Sequence, residues 1–275
     1  MSIDCMTIER LSQKAKSMRR SIVRMVGVGK AGHLGGSLSI TDVVAALYFS
    51  KMKMDKNNPR WEKRDYFLLS KGHAALAQYA VLAEIGYFSQ NELDHVKSLE
   101  SMLQGHPDMS KTPGIEANTG SLGQGLSIAC GIAAGLKIDK SNRQVYCVVG
   151  DGELDEGQIW EAAMAASFYK LDNLTAILDN NGLMATGVIA ERFDSSPLPE
   201  KWRSFGWWVH EIDGHDIKSI LEAFEEADKV TGQPKMIIAH TVKGKGISFA
   251  ENQPAFHNGI LTQEQYELAL QELGG

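Results

Sequence analysis

The sequence predicts one α/β domain built on a doubly wound, mostly parallel sheet with helices on both faces. Three observations lead there. Beyond about residue 126, short apolar runs of strand length alternate with segments of helix length, the pattern of βαβ units. The run Val145 to Val149 is continuously apolar, as expected of a strand covered on both faces. Each strand also ends in a loop rich in glycine and polar residues, and in such a sheet these loops share the carboxyl edge, where ligands bind. The 275 residues are 43% apolar and 23% charged, enough for one sizeable core. No linker, repeat or low-complexity segment divides them, so residues 1–275 are read as a single domain.

The elements follow in order. Leu11, Ala15, Met18, Ile22 and Met25 recur at helical spacing and define the first helix. A glycine-rich loop, Gly27 to Gly36, comes next. Thr41-Asp42 then starts a helix ahead of Val43, Val44 and Leu47, and another spans about Ala74 to Glu84. Gly105 to Gly125 reads as irregular, and Leu126 to Ile138 as helix. The alternating series is strand Val145–Val149, helix Gln158–Phe168, strand Leu174–Leu178, strand Trp207–Ile212, helix Ile217–Val230 and strand Met236–Thr241.

Composition excludes disordered, collagen-like and coiled-coil classes. The net charge is −6, and no Lys/Arg run is longer than Arg19-Arg20, so there is no electrostatic footprint for nucleic acid or an anionic membrane. Asp4, Glu9 and Arg10 stand where a secretory signal needs an apolar segment. Ala117 to Leu136 lacks charge, but its first half is too polar and glycine-rich to cross lipid. Cys5, Cys130 and Cys147 show no C-x-x-C spacing and are read as reduced core thiols of a cytoplasmic protein.

Two phosphate motifs fail on context. Gly27, Gly29 and Gly32 form G-x-G-x-x-G, but a helical pattern rather than a strand precedes them, and Lys30 is followed by Ala31 where a P-loop needs Ser or Thr. Gly150-Asp151-Gly152 is better placed. A carboxylate between two glycines at a strand end can reach a hard cation while the backbone stays open to ligand oxygens. Asn181 follows the next strand, and if the two strands lie close together Asp151 and Asn181 can share Mg²⁺ or Ca²⁺ with two phosphate oxygens. The Gly152 amide and the following helix N-terminus add positive dipole. Either motif alone is ordinary turn chemistry; the pair at two strand ends points to a site.

Among eight histidines, His33, His73, His106 and His257 each lie in a Gly- or Pro-containing loop, at separations that match no local zinc pattern. His95, His210 and His240 are read as surface or satisfied core residues. Glu153 and Asp155 are read as acids that favour a helix N-terminus.

These segments together resemble the transketolases. Gly150-Asp151-Gly152-Glu153-Leu154-Asp155-Glu156-Gly157, running through Trp160-Glu161-Ala162 to Leu178-Asp179-Asn180-Asn181-Gly182, resembles the family's thiamine diphosphate motif. Gly32-His33, Ser70-Lys71-Gly72-His73, Gly105-His106-Pro107, Thr119 to Gly125, Asp213-Gly214-His215-Asp216, Thr241 to Gly246 and Phe256-His257-Asn258-Gly259 fall in the family's order, over nearly the whole chain. His33 is followed by Leu34-Gly35-Gly36, where the family usually has Pro and a small polar residue.

The resemblance implies a diphosphate-binding domain in which Asp151, the Asn181 side chain and the Leu183 carbonyl hold Mg²⁺ (or Ca²⁺). Gly152 and His73 contact the diphosphate, Lys243 approaches the same phosphates, and Gly120 and Leu122 line the aminopyrimidine. His33, His106 and His257 face the substrate, and Glu156 joins a carboxylate network linking the two cofactor sites of a dimer. The glutamate that activates thiamine diphosphate belongs, in the family, to a pyrimidine-binding domain that follows. The implied protein is therefore the N-terminal subunit of a split transketolase, moving a two-carbon ketol unit from a ketose to an aldose. Its partner would be a C-terminal transketolase subunit, with two copies of each chain. Two alternatives stand beside this. An α subunit of a 2-oxoacid dehydrogenase is opposed by the Ser70–His73 and Phe256–Gly259 segments, and a non-catalytic regulatory paralogue by the intact set of Asp151, Asn181 and four histidines.

Overall fold

The computed structural model describes residues 3–274. Helix α1 (Cys5–Val26) starts where the Asp4 carboxylate accepts from the Thr7 amide at 2.7 Å, buries the predicted stripe of Leu11, Ala15, Met18, Ile22 and Met25, and stops at Gly27, whose φ of +61° suits glycine. Strand β1 (Ala31–Gly32), α2 (Leu34–Ser39) and α3 (Thr41–Ala46, prolonged by a wider turn to Lys51) lead to β2 (Tyr66–Leu69) and α4 (Ala75–Ile85). After an irregular stretch come α5 (Gln124–Ile138), β3 (Val145–Gly150), α6 (Gly157–Phe168) and β4 (Leu174–Asn180). A small ribbon, β5 (Leu183–Met184) with β6 (Gly187–Val188), precedes α7 (Leu198–Ser204), β7 (Trp208–Asp213), α8 (Ile217–Asp228), β8 (Lys235–His240), β9 (Gly259–Ile260) and α9 (Gln263–Glu272).

The central sheet has the order β2-β3-β4-β8-β7, and every pairing in it is parallel. Strand period 2 sorts its side chains into two cores. Tyr146, Val148, Ile177, Ile237 and Ala239 pack with α1 to α4 and α8, whereas Val145, Cys147, Val149, Ala176, Leu178, Met236 and Ile238 pack with α5 to α7. This is the doubly wound arrangement the apolar runs predict. Parallel pairing sends the ends of all five strands to one edge, and the register Gly150↔Asp179 and Asp179↔Ala239 sets the loops that follow β3, β4 and β8 side by side.

Three expectations change. Strand β2 was not foreseen, because a four-residue run, Tyr66 to Leu69, in a helix-rich region has too few residues to show its own period. The glycine-rich stretch up to Gly36 is not simply a loop. Its Ala31-Gly32 segment pairs antiparallel with β9, and Leu34-Gly35-Gly36 opens α2. Gly35 is needed there because a Cβ would sit 2.9 Å from Lys243 Cγ. Cys130 and Cys147 are buried thiols as expected, but Cys5 is exposed at the start of α1 and is not part of the core. Among the described residues no helix is long and apolar enough to cross a membrane.

Candidate functional site

The site rests on a buried carboxylate. Asp179, near the end of β4, is fully buried. Its Oδ2 accepts from Lys71 Nζ (2.5 Å), Ser39 Oγ (2.7 Å) and Asn181 Nδ2 (3.0 Å), and its Oδ1 accepts from Thr241 Oγ1 (2.5 Å). Burial pushes this carboxyl up, but the Lys71 charge and the donated hydrogen bonds outweigh it and hold Asp179 below the ordinary value. Lys71 also donates to the Gly36 carbonyl at 2.6 Å. One side chain thereby ties together β4, α2 and the loops after β2 and β8.

Above it, the turn after β3 presents Asp151. Its Oδ1 accepts from the Gly152 amide (2.8 Å) and its Oδ2 from the Gly182 amide (2.5 Å). Burial and the neighbouring Asp179 charge push the Asp151 carboxyl up to about 6, against these hydrogen bonds. Asn181 Oδ1 accepts from the Leu183 amide at 3.1 Å, and the Leu183 carbonyl accepts from Lys243 Nζ at 2.7 Å. The adjacent strands thus bring Asp151 and Asn181 together, as expected of two neighbouring strand ends, and Leu183, in the β5–β6 ribbon, lies in the same cavity lining. A carboxylate, an amide oxygen and a main-chain carbonyl are hard donors that suit Mg²⁺ or Ca²⁺, and the carbonyl already attracts a cation in the form of Lys243. The residues therefore fit such an ion.

Glu153 is more than a charge at a helix start. It is buried, and it accepts from Ser70 Oγ (2.5 Å), the Gly123 amide (2.8 Å) and the Gly150 amide (3.1 Å). It pins the Asp151 turn to the end of β2 and the start of α5. Asp155 is exposed, as its simpler reading expects. Glu156, also exposed, lies at the rim with its Cβ 2.7 Å from where a Cβ on Gly123 would fall.

The four motif histidines form one cluster. The β1–β9 register, Gly32↔Gly259, brings His33 and His257 together with ring centroids 5.6 Å apart. His73, on the turn after β2, lies 5.3 Å from His33 and 4.9 Å from His257. His106 lies 6.0 Å from His33, and its carbonyl accepts from the Tyr79 hydroxyl at 3.0 Å. Gly120, with φ +143°, lies against the His106 ring, where a Cβ would come within 2.8 Å of Cδ2. His257 Nδ1 is buried and has no hydrogen-bond partner among the described residues, a polar atom left for a ligand. Lys97 was missed by the sequence reading. Its Nζ donates to the Ala31 carbonyl at 2.9 Å, and its charge, after burial, is the next largest influence lowering His33 and His106.

Burial, followed by neighbouring lysines, brings His33 and His257 down to about 4 and His73 to about 2, so all three are neutral at pH 7. In the unfolded chain a histidine titrates near 6.5. As the pH falls from about 6.5 towards 4, the unfolded state takes up protons that the folded cluster refuses, so stability is lost on acidification. Urea midpoints measured across this range should fall with pH, and His73→Gln should flatten the slope.

Lys71, His73, His257, Leu122, Gly152, Glu156, Asn181 and Lys243 line a cavity of about 310 Å³ floored by Asp151. Larger clefts of about 670 and 600 Å³ lie at the amino edge of the sheet and contain none of these groups.

Against known proteins, residues 11–275 match the family model described as transketolase, thiamine diphosphate binding domain. The chain is 47% identical over 263 residues to the 6-deoxy-6-sulfo-D-fructose transketolase subunit SqwG of Clostridium sp. (strain MSTE9), covering 96% of each chain. It is 42% identical over 268 residues to an apulose-4-phosphate transketolase subunit of Phocaeicola vulgatus, covering 98% of this chain and 95% of that one. Human transketolase is 38% identical over 98% of this chain, which spans only 43% of the human protein. The crystal structure of transketolase from Campylobacter jejuni superposes with a TM-score of 0.91 at 32% identity, covering 97% of this chain and 43% of that one.

Proposed function

From the premise that this chain belongs to the transketolase family through its thiamine diphosphate-binding domain, we propose that it is the N-terminal subunit of a two-chain transketolase. The observation that carries this is the convergence of Asp151, Asn181, Leu183 and two motif histidines on one cavity at the carboxyl edge. The division between two chains is supported by relatives named as transketolase subunits that match along almost their whole length, whereas the chain spans about two fifths of the solved transketolases.

When bound, thiamine diphosphate supplies a nucleophilic carbon and an electron sink for breaking and making the ketol carbon–carbon bond. The residues of this chain provide the rest of their half of the site. Asp151, Asn181 and the Leu183 carbonyl hold Mg²⁺ (or Ca²⁺), Gly152 and His73 bind diphosphate oxygens, and Lys243 adds positive charge beside them. Gly120 and Leu122 line the aminopyrimidine. His33 and His257, neutral at pH 7, hold and pass protons at the donor's carbonyl and hydroxyl oxygens, and His106 holds its terminal hydroxyl. Glu156, exposed at the rim, faces the carboxylate network between subunits.

The donor is a ketose and the acceptor an aldose. The two relatives named for a sugar act on a sulfonated and a phosphorylated one, which favours an anionic sugar here. The partner is a chain with the pyrimidine-binding and C-terminal domains, two copies of each chain assembling in the cytoplasm. The chain, tagged in its native host and purified with Mg²⁺ and thiamine diphosphate, should co-elute stoichiometrically with such a partner, identified by mass spectrometry. Elution alone, with no cofactor bound, would contradict the proposal.

A further inference from the structure

We propose that His215 is a positioning residue that anchors the Thr241–Gly246 loop and so sets Lys243 over the cavity; the functional half of this rests on the cofactor reading above. His215 lies between β7 and α8, in Asp213-Gly214-His215-Asp216, outside the lining of the cavity. Its Nδ1 is 2.8 Å from Asp42 Oδ2, and its Nε2 is 2.8 Å from the Val242 amide nitrogen. A main-chain amide can only donate, so Nε2 is the acceptor and carries no proton. The single ring proton therefore sits on Nδ1 and is donated to Asp42, which fixes both tautomer and ring orientation.

Asp42 is itself held in place. Arg19 grips it with two hydrogen bonds, 3.0 and 2.5 Å, and also reaches the Leu38 carbonyl at 3.3 Å. Both members of this pair are buried. The chain of contacts thus runs from α1 (Arg19) through α3 (Asp42) and the β7–α8 turn (His215) to the loop after β8 (Val242).

The far end explains the consequence. Val242 stands between Thr241, whose hydroxyl donates to Asp179, and Lys243, whose ammonium donates to the Leu183 carbonyl. The loop also needs Gly214 beside it, since a Cβ there would lie 2.4 Å from Thr241 Cγ2. Fixing the Val242 amide therefore fixes the backbone from which both flanking side chains reach the site.

Two substitutions separate the contacts. His215→Asn keeps a donor near Asp42 but is too short to reach Val242; His215→Gln extends far enough to offer an acceptor to that amide. Hydrogen exchange read by mass spectrometry on the full chain should show amides of residues 241–246 exchanging about tenfold faster in His215→Asn, with β3 and β4 amides unchanged and the wild-type rate largely restored in His215→Gln. In the assembled two-chain enzyme, His215→Asn should raise the half-saturating thiamine diphosphate concentration by about tenfold while that of the sugar moves less than about twofold, again with rescue by Gln. Unchanged exchange in His215→Asn overturns the anchoring, and faster exchange with unchanged cofactor affinity overturns the positioning role. If the wild-type complex binds no thiamine diphosphate, it is the cofactor reading that fails, while the exchange arm still decides whether His215 holds the loop.

Discussion

Replacing Lys71 with methionine should lower the unfolding free energy by about 3–5 kcal/mol, the cost of leaving one partner of a buried ion pair without the other. Lys71 and Asp179 are among the most buried polar residues of the chain, and Lys71 is the only cation within hydrogen-bond reach of Asp179 among the described residues. The methionine fills the space but supplies no donor, so Asp179 keeps its three neutral donors and loses its charge partner. The Gly36 carbonyl loses its hydrogen bond as well. Chemical denaturation read at constant m-value measures the loss. Lys71→Met combined with Asp179→Asn should recover part of it, because the charge is then absent from both sides. Equal stability of wild type and Lys71→Met would show that the pair is not the buried support that the geometry describes.

Asp151→Asn has the opposite profile. We expect it to abolish Mg²⁺-dependent binding of thiamine diphosphate and to cut ketol transfer by about 10³-fold or more, because the only carboxylate among the three donors is removed. The fold should not suffer. The Asp151 carboxyl is pushed up to about 6 by burial and by Asp179, so its ionised form is electrostatically costly at pH 7. An asparagine oxygen can still accept from Gly152 or Gly182. The asparagine NH2 faces the other of these two amides, which offsets the relieved charge, so thermal midpoints at pH 7 without ligand should stay close to those of the wild type, while calorimetric titration shows no cofactor heat. Retained cofactor affinity in Asp151→Asn would remove Asp151 from the ligand set.

Much of this was readable from local sequence. The α1 stripe, the buried strands from Val145 onward and the motifs Gly150-Asp151-Gly152 and Asp179 to Gly182 signal themselves through period and residue type, and the structure places them as those signals require. What was not readable depends on long-range pairing. Glu153 has the local signature of a helix-start acid, and only the packing of β2 and α5 against its turn makes it a threefold acceptor. Lys71 and Asp179 sat inside recognised motifs with no role assigned, since their meeting depends on the side-by-side order of β2, β3 and β4. Lys97 offered one clue after folding, a φ of +61° in a non-glycine residue, which no sequence pattern reports. The four histidines stood out by their Gly- and Pro-containing loops, and only the resemblance turned three of them toward one substrate; the meeting of His33 with His257 comes from the two-residue pairing of β1 with β9.

The central claim is that this chain supplies only the diphosphate half of a shared cofactor site. Its most direct test is a titration of ketol transfer, with Mg²⁺ and thiamine diphosphate present, in which the pyrimidine-domain chain is added stepwise to a fixed amount of this one. No transfer by either chain alone, and a linear rise to a plateau at equimolar addition, is the predicted result. Turnover by this chain alone, or no transfer by an equimolar complex that has bound the cofactor and been offered anionic ketoses and aldoses, would contradict it.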